Sequence, residues 1–304
     1  MKYWIESMRL RTLPLALANT ITGSALAWAA GTFRWPVLVL AALTTLLLQI
    51  LSNMANDYGD FKNGKDTAER IGPRRMVQSG KISPKAMLRG IVVVVVLAIA
   101  SGVWLLVEGF SNRAGLTADN LPLIIVFAVL GLGAITAAIR YTVGKNPYGY
   151  KALGDVFVFL FFGLVGVIGT YFLHAFHFRW SLLLPASAIG FLSVGVLNLN
   201  NLRDYETDKK TGKRTLVVAL GVPKARLYHA FLLLGAYVAV SIFTLLEYSG
   251  YWQWIFWASF PLMFKNLRAV QTFTQHVQLF PELKRLSMAS LLFAVLLALG
   301  LIIQ

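Results

Sequence analysis

The chain has 304 residues, of which 57% are hydrophobic and 13% charged, with a mean hydropathy of +0.66 and a formal net charge of +15. A soluble domain carries about 25% charged residues, so this composition excludes a soluble globular protein and predicts an all-α, polytopic membrane protein. The absence of Cys excludes disulfides, thiolate metal sites and a Cys nucleophile.

Apolar segments of about 20 residues, the length that crosses a hydrocarbon core of roughly 30 Å, recur nine times. They fall near 14–30, 36–56, 87–107, 121–140, 153–173, 181–201, 227–246, 251–268 and 286–303, and together predict one transmembrane domain over 1–304. Runs of this length are unlike the short alternating segments of a transmembrane barrel. With the N-terminus in the cytoplasm, 25 of the 28 Lys and Arg lie on the inner side, leaving Arg34, Arg113 and Arg179 outside. The positive charge is then a topology signal rather than a nucleic-acid footprint. It predicts a multi-pass protein of the inner (cytoplasmic) membrane, with the lipid bilayer as its surroundings and no nucleic-acid partner. Residues 1–12 are polar and show no cleavable signal pattern; Arg9 and Arg11 there read as topology anchors.

The first span carries Asn19, Thr20, Thr22 and Ser24, polar groups that mark a packing or cavity face. The second ends in Asn53-Met-Ala-Asn56-Asp57-Tyr-Gly-Asp60-Phe-Lys-Asn63-Gly64-Lys65-Asp66. If the helix runs a turn beyond Leu51, Asn56 and Asp60 share one face, with Asp57 three residues from Asp60. Clustered carboxylates repel unless a cation joins them, and oxygen-only ligands suit Mg²⁺ shared with a substrate phosphate. The following loop, with Arg74 and Arg75, holds more cations than orientation requires, which suits an anionic ligand. After the fourth span come Arg140-Tyr141-Thr142, Lys145, Tyr148, Tyr150, Lys151 and then Asp155, an acid at the mouth of an apolar span that needs a partner or a cation. Gly163, Gly166 and Gly169 in the fifth span allow close helix approach or leave room for a flexible apolar ligand.

The sixth span ends in Asn200-Asn-Leu-Arg-Asp204-Tyr-Glu-Thr-Asp208. This repeats the Asn-x-x-x-Asp spacing of Asn56 and Asp60 at a constant offset, so motifs at 53–66 and 200–208 mark an internal pseudo-repeat. Asn200, Asp204 and Asp208 at i, i+4 and i+8 would line one helical face with oxygen ligands, and Lys213 and Arg214 follow in a second basic loop. Two carboxylate clusters at one membrane face, with basic loops and greasy helices, point to a substrate with a diphosphate head and a hydrocarbon tail. Alternatives stay open: a lipid or phosphate transporter with an internal repeat, or an enzyme with any of several aromatic acceptors.

These motifs resemble the UbiA superfamily of intramembrane aromatic prenyltransferases, and specifically its dihydroxynaphthoate branch. The resemblance rests on Asn53 to Asp66, Gly72-Pro-Arg-Arg-x-Val-Gln-Ser-Gly80, Tyr148-Gly-Tyr150 with Gly154-Asp155, and Asn200 to Asp208 with Gly212-Lys-Arg-Thr-Leu216. It implies nine helices, Mg²⁺ as cofactor, and polyprenyl diphosphate and 1,4-dihydroxy-2-naphthoate as substrates, joined with loss of CO₂ to give demethylmenaquinol. By the same resemblance, Asn56, Asp57, Asp60, Asp66, Asp204 and Asp208 are the metal set, with Asp60, Asp204 and Asp208 central to catalysis. Asn53, Arg74, Arg75, Lys145, Tyr148, Lys151, Asp155, Asn200, Lys213 and Arg214 are the substrate-binding candidates. The chain has Gly64 where the superfamily often has a third Asp, offering Asp66 instead, and Asp155 where the branch commonly has Glu. A 4-hydroxybenzoate or homogentisate enzyme is the nearest alternative.

Overall fold

Proline starts most of the long helices, where its missing N–H and fixed φ cost nothing. In a computed structural model that describes residues 2–66, 71–72, 75–111 and 115–303, these are α1 (Leu13–Ala29), α2 (Trp35–Lys62), α3 (Pro84–Ser111) and α4 (Leu121–Arg140). They continue with α5 (Gly154–Ala175), α6 (Leu183–Arg203), α7 (Val222–Leu246), α8 (Phe260–Thr272) and α9 (Phe280–Ile303). Two clusters of buried apolar side chains organise them. The larger joins α1, α5, α6, α7, α8 and α9 around Leu192, Tyr237 and Phe293. The smaller ties α2 and α3 to the segment Met76–Ile82 through Leu51, Met54 and Met87. The outward faces of α3 and α4 leave Val92, Val96, Val103, Ile125 and Val129 exposed, as a lipid-facing surface requires.

The polar connections separate into two ends. At one, Arg34 bonds Glu108 at 2.7 Å and Gly109 O at 3.0 Å, Ser24 meets His174, and Arg179 bonds Glu247. At the other lie the acidic motifs, where Arg226 reaches Phe273 O at 2.5 Å and His276 meets Leu202 O at 2.6 Å.

Among the described residues, seven helices are long and apolar enough to cross a membrane, so the expected count of nine does not follow from length and composition. The two that fall short do so for different physical reasons. Helix α1 has 17 residues, about 25 Å at 1.5 Å per residue. The predicted span 251–268 is divided between a 3₁₀ stretch, Tyr251–Ser259, and α8, and the 3₁₀ rise of about 2.0 Å per residue stretches fewer residues over the same path.

A second departure lies in α5, which is π-helical over Phe159–Ile168. Gly163 in this stretch faces Gly190 of α6 so closely that a Cβ would lie 2.8 Å from Ala186 O and from Gly190 Cα. The sequence signal of spaced glycines is thus answered by a backbone crossing at Gly163.

Candidate active site

Helix α2 continues to Lys62, so Asn56 and Asp60 stand on one face as the spacing predicts. The second motif is less regular. Helix α6 stops at Arg203, Asp204 has φ −91° and ψ 8°, and a short helix, Tyr205–Lys210, follows. The ladder of Asn200, Asp204 and Asp208 therefore bends rather than running along one continuous helix. Its backbone hydrogen bonds survive the bend, with Asp204 N donating to Asn200 O and Asp208 N to Asp204 O.

The helices surround a chamber of about 510 Å³ whose walls come mainly from α1 to α6, with Leu283 of α9 and residues of the adjoining loops. Leu105, Leu106, Phe127, Phe161, Phe162 and Val165 make its interior apolar, while Asn53, Asn56, Asp60, Arg75, Asn200 and Lys213 line its polar end. Asp60 is the hub of that end. It accepts hydrogen bonds from Arg75 Nη2 and from the Tyr150 hydroxyl, both at 2.7 Å, and Lys213 Nζ lies 3.6 Å away. Arg75 also faces Asp66, with Nε 3.5 Å from Oδ1. Asp204 is held differently, in a fork from its chain neighbour: Arg203 Nε and Nη2 donate at 2.8 and 2.6 Å, and Nη2 reaches Asn200 Oδ1 at 2.9 Å.

The polar loops are stitched above the chamber. Asp57 accepts from the backbone N–H groups of Met76 and Val77 at 2.8 and 3.1 Å, so its carboxylate pins the segment that carries Arg75. Asn63 donates to Thr142 O at 2.7 Å, and Gly59 lies so close that a Cβ would sit 2.6 Å from Thr142 Oγ1. Lys65 donates to Thr211 O, and Ala152 N donates to Arg214 O at 2.9 Å.

Tyr148 lines the chamber, donates to Ala137 O at 2.8 Å and stacks on Phe157 with centroids 4.2 Å apart. Burial, with the Asp60 charge beside it, pushes the Tyr150 phenol above its ordinary range, so it stays protonated as a donor. Burial also raises Tyr141, with the charges of Asp155, Asp60 and Asp208 adding to it.

The structure thus brings Asn53, Asn56, Asp60, Arg75, Tyr148, Asn200 and Lys213 to one chamber end, with Asp204 and Asp208 buried beside it. It does not bring the other candidates there. Lys145, Lys151 and Arg214 are exposed and outside the lining. Asp155 is buried against Tyr228 of α7, and Arg74 lies outside the described residues. Asn53 reaches the wall, but its amide is engaged by Met8 O, Thr12 Oγ1 and Gln49. Sequence reasoning missed Arg203, which sits inside the second motif, and Tyr150 and Tyr141 as site members. It also took Arg9 as an anchor, whereas Arg9 lines the chamber with φ 51°, a left-handed conformation unusual for a residue with a Cβ.

The donor set is compatible with Mg²⁺. Asn56, Asp60, Asn200, Asp204 and Asp208 offer only oxygen, and few enough oxygens that phosphate and water would complete the shell. Among the described residues no three acids converge as a ready-made metal cage, because Asp60 and Asp204 are each drawn to an arginine. Such sparse sets suit an ion that arrives with a phosphate substrate.

A membrane chamber with an apolar body and a carboxylate- and cation-lined mouth defines an intramembrane protein for amphiphiles with an anionic head. The chain belongs to the UbiA prenyltransferase family, whose sequence model matches residues 16–278. It is 46% identical to a 1,4-dihydroxy-2-naphthoate octaprenyltransferase of Haemophilus influenzae, over 100% of this chain and 96% of that protein. It is 44% identical to the protein of the same name from Escherichia coli, over 99% of this chain and 95% of that one. In fold it matches a solved UbiA homologue from Archaeoglobus fulgidus bound to GPP and Mg²⁺, with a TM-score of 0.65 and 16% identity over 98% of this chain and 100% of that one.

Proposed function

We propose that this prenyltransferase moves a polyprenyl group from polyprenyl diphosphate to 1,4-dihydroxy-2-naphthoate with loss of the acceptor's carboxylate as CO₂, giving demethylmenaquinol. The observation that carries the reading is the meeting of Asp60, Arg75 and Lys213 at the mouth of an apolar chamber, in a chain whose full-length relatives bear that activity's name.

Asn56, Asp60, Asn200, Asp204 and Asp208 would hold Mg²⁺, which when bound neutralises the diphosphate and makes it a leaving group. The protein's own cations do related work. Arg75 and Lys213 are both buried beside Asp60 and close enough to the polar end to donate to diphosphate oxygens that develop charge as the allylic C–O bond breaks. Asp57 acts indirectly, fixing the backbone that carries Arg75. The apolar walls keep water from the allylic cation, so the electron-rich ring carbon that bears the carboxylate can attack it. The new C–C bond leaves a β-keto acid at that carbon. CO₂ departs from it, and the electron pair of the broken bond restores the aromatic ring.

The membrane orientation we infer has the acidic motifs in the cytoplasm, because the end that carries them also gathers most Lys and Arg. With no native Cys, Ser79→Cys and Lys209→Cys should resist an impermeant thiol reagent in intact cells, whereas Ser111→Cys should label. Labelling at position 79 in intact cells overturns this orientation.

The function is tested with dihydroxynaphthoate labelled at its carboxyl carbon. CO₂ release should track prenyl transfer and require Mg²⁺. A prenylated product that keeps the label, or preference for 4-hydroxybenzoate, overturns the proposed acceptor.

A further inference from the structure

The chamber wall between Arg9 and Asn53 carries a hydrogen-bond network whose donors and acceptors can be assigned by elimination. The single hydroxyl hydrogen of Thr12 goes to Arg9 O at 3.0 Å, so Thr12 Oγ1 otherwise accepts. Asn53 Nδ2 donates to Met8 O and to Thr12 Oγ1, both at 2.9 Å, which uses both of its hydrogens and turns Asn53 Oδ1 toward Gln49. Gln49 must therefore present its amino group, 3.4 Å from Asn53 Oδ1 and 3.2 Å from Thr12 Oγ1. Turning that amide over would set two carbonyl oxygens against each other. The atom left is Gln49 Oε1, buried without a hydrogen-bond partner on a chamber-lining side chain that is 8% exposed. A buried carbonyl of this kind calls for a donor.

We infer that Gln49 Oε1 accepts a hydrogen bond from a ring hydroxyl of the aromatic acceptor and so makes Gln49 a specificity-determining residue; the inference rests on the acceptor class proposed above. Polyprenyl diphosphate cannot serve, because its ionised head accepts hydrogen bonds and its tail is hydrocarbon. In 1,4-dihydroxy-2-naphthoate the hydroxyl beside the carboxylate closes an internal hydrogen bond to it. The 4-hydroxyl is the donor left for the protein. Gln49 also stands at a fitting depth: on α2 it precedes Asn53 by one turn and shares a face with Asn56 and Asp60. At 1.5 Å per residue it lies about 16 Å deeper than Asp60, room for a diphosphate head and one ring system between them.

The test uses the full-length protein in membranes with Mg²⁺, comparing the KM for 1,4-dihydroxy-2-naphthoate with the inhibition constant of 1-hydroxy-2-naphthoate, which lacks the 4-hydroxyl. The wild type should bind the monohydroxy acid about tenfold more weakly, since that acid cannot make the hydrogen bond to Gln49 Oε1. Gln49→Leu should raise the KM for the dihydroxy acid about tenfold while the constants for the monohydroxy acid and polyprenyl diphosphate move less than about twofold. Equal weakening of both acids in Gln49→Leu, or no weakening, overturns the assignment, as does equal affinity for the two acids in the wild type. The wild-type ratio decides alone if the variant fails to accumulate. Should the wild type turn over a different hydroxylated acceptor, the proposed function fails, and the same comparison between that acceptor and its deoxy counterpart still judges Gln49.

Discussion

Asp60 and Asp204 each stand at the polar end of a long helix with an amide four residues before them, and each is met by a buried arginine, but the two arginines come from different distances along the chain. Asp60 draws on Arg75, Tyr150 and Lys213, from three separate loops. Asp204 is gripped by Arg203, the residue before it. Among the described contacts, the Asp60 half of the site forms only when the loops have assembled above the chamber, whereas the Asp204 half includes a grip from its own helix end. Assembly of the first half is therefore coupled to loop order. That suits a site whose anionic ligand must enter and leave past those loops.

The strongest way to break this contrast is to remove each carboxylate's charge. Asp60→Asn and Asp204→Asn should each lower prenyl transfer about 10²-fold or more, the scale of losing one preorganised charged group. They should differ in structure. Asp60→Asn removes the buried charge that Arg75 and Lys213 share, a destabilisation of about 3 kcal/mol, and should expose residues 75–82 to limited proteolysis. Asp204→Asn, which loses a contact from its own helix end, should expose residues 75–82 less than Asp60→Asn does. Equal protease sensitivity of the two variants would mean that Asp60 and Asp204 depend on the loop alike.

Asp57 extends the comparison because its carboxylate holds the loop that carries Arg75. Asp57→Ala leaves the N–H groups of Met76 and Val77 without their acceptor, a cost of about 1–3 kcal/mol for such buried groups. The KM for polyprenyl diphosphate should rise about tenfold as Arg75 loses its anchor, with the Mg²⁺ requirement unchanged. A selective loss of Mg²⁺ affinity with an intact loop would instead place Asp57 among the metal ligands.

These contrasts also show where the sequence is legible. Hydropathy gave the long helices and the spacing of Asn56 and Asp60 gave their shared face, because each depends on one helix at a time. The 3₁₀ stretch Tyr251–Ser259 and the π-helical run Phe159–Ile168 were not legible, since their apolar composition suits an α-helix equally well and tertiary packing decides between them. Buried cations could not be told from solvated ones: Lys213 and Arg214 are adjacent in sequence, yet Lys213 is buried beside Asp60 while Arg214 faces outward. Arg203 was hidden by its position inside a motif valued for its acids.

Tyr150 offers a smaller test. Tyr150→Phe removes one hydrogen bond to the Asp60 carboxylate, about 1.5–3 kcal/mol before the other partners relax, and should lower activity about tenfold. Its pH behaviour is defined by the upward displacement of the phenol, caused first by burial and then by Asp60. A raised phenol keeps its proton through the neutral range, and its contribution is lost only as pH climbs through the folded-state value above 10. The ratio of wild-type to Tyr150→Phe activity should accordingly be flat from about pH 6 to pH 9. A ratio that falls toward unity across that window would mean the phenol ionises there and is not the fixed donor to Asp60.

The smallest effect separates the two neighbouring cations of the second basic loop. Arg214 contributes its backbone to the architecture, since its carbonyl accepts from Ala152 N and its strand-like segment pairs with Lys151. Its side chain is exposed and away from the chamber lining. Truncation at Arg214→Ala keeps that carbonyl and removes only a solvated charge, which is worth less than about 0.5 kcal/mol, so activity should stay within about twofold of wild type. Lys213→Ala removes a cation 3.6 Å from Asp60 and should raise the KM for polyprenyl diphosphate well beyond that. If Arg214→Ala proves the more damaging of the pair, the anion is bound outside the chamber mouth, and the loop-built half of the site is centred on the wrong residue.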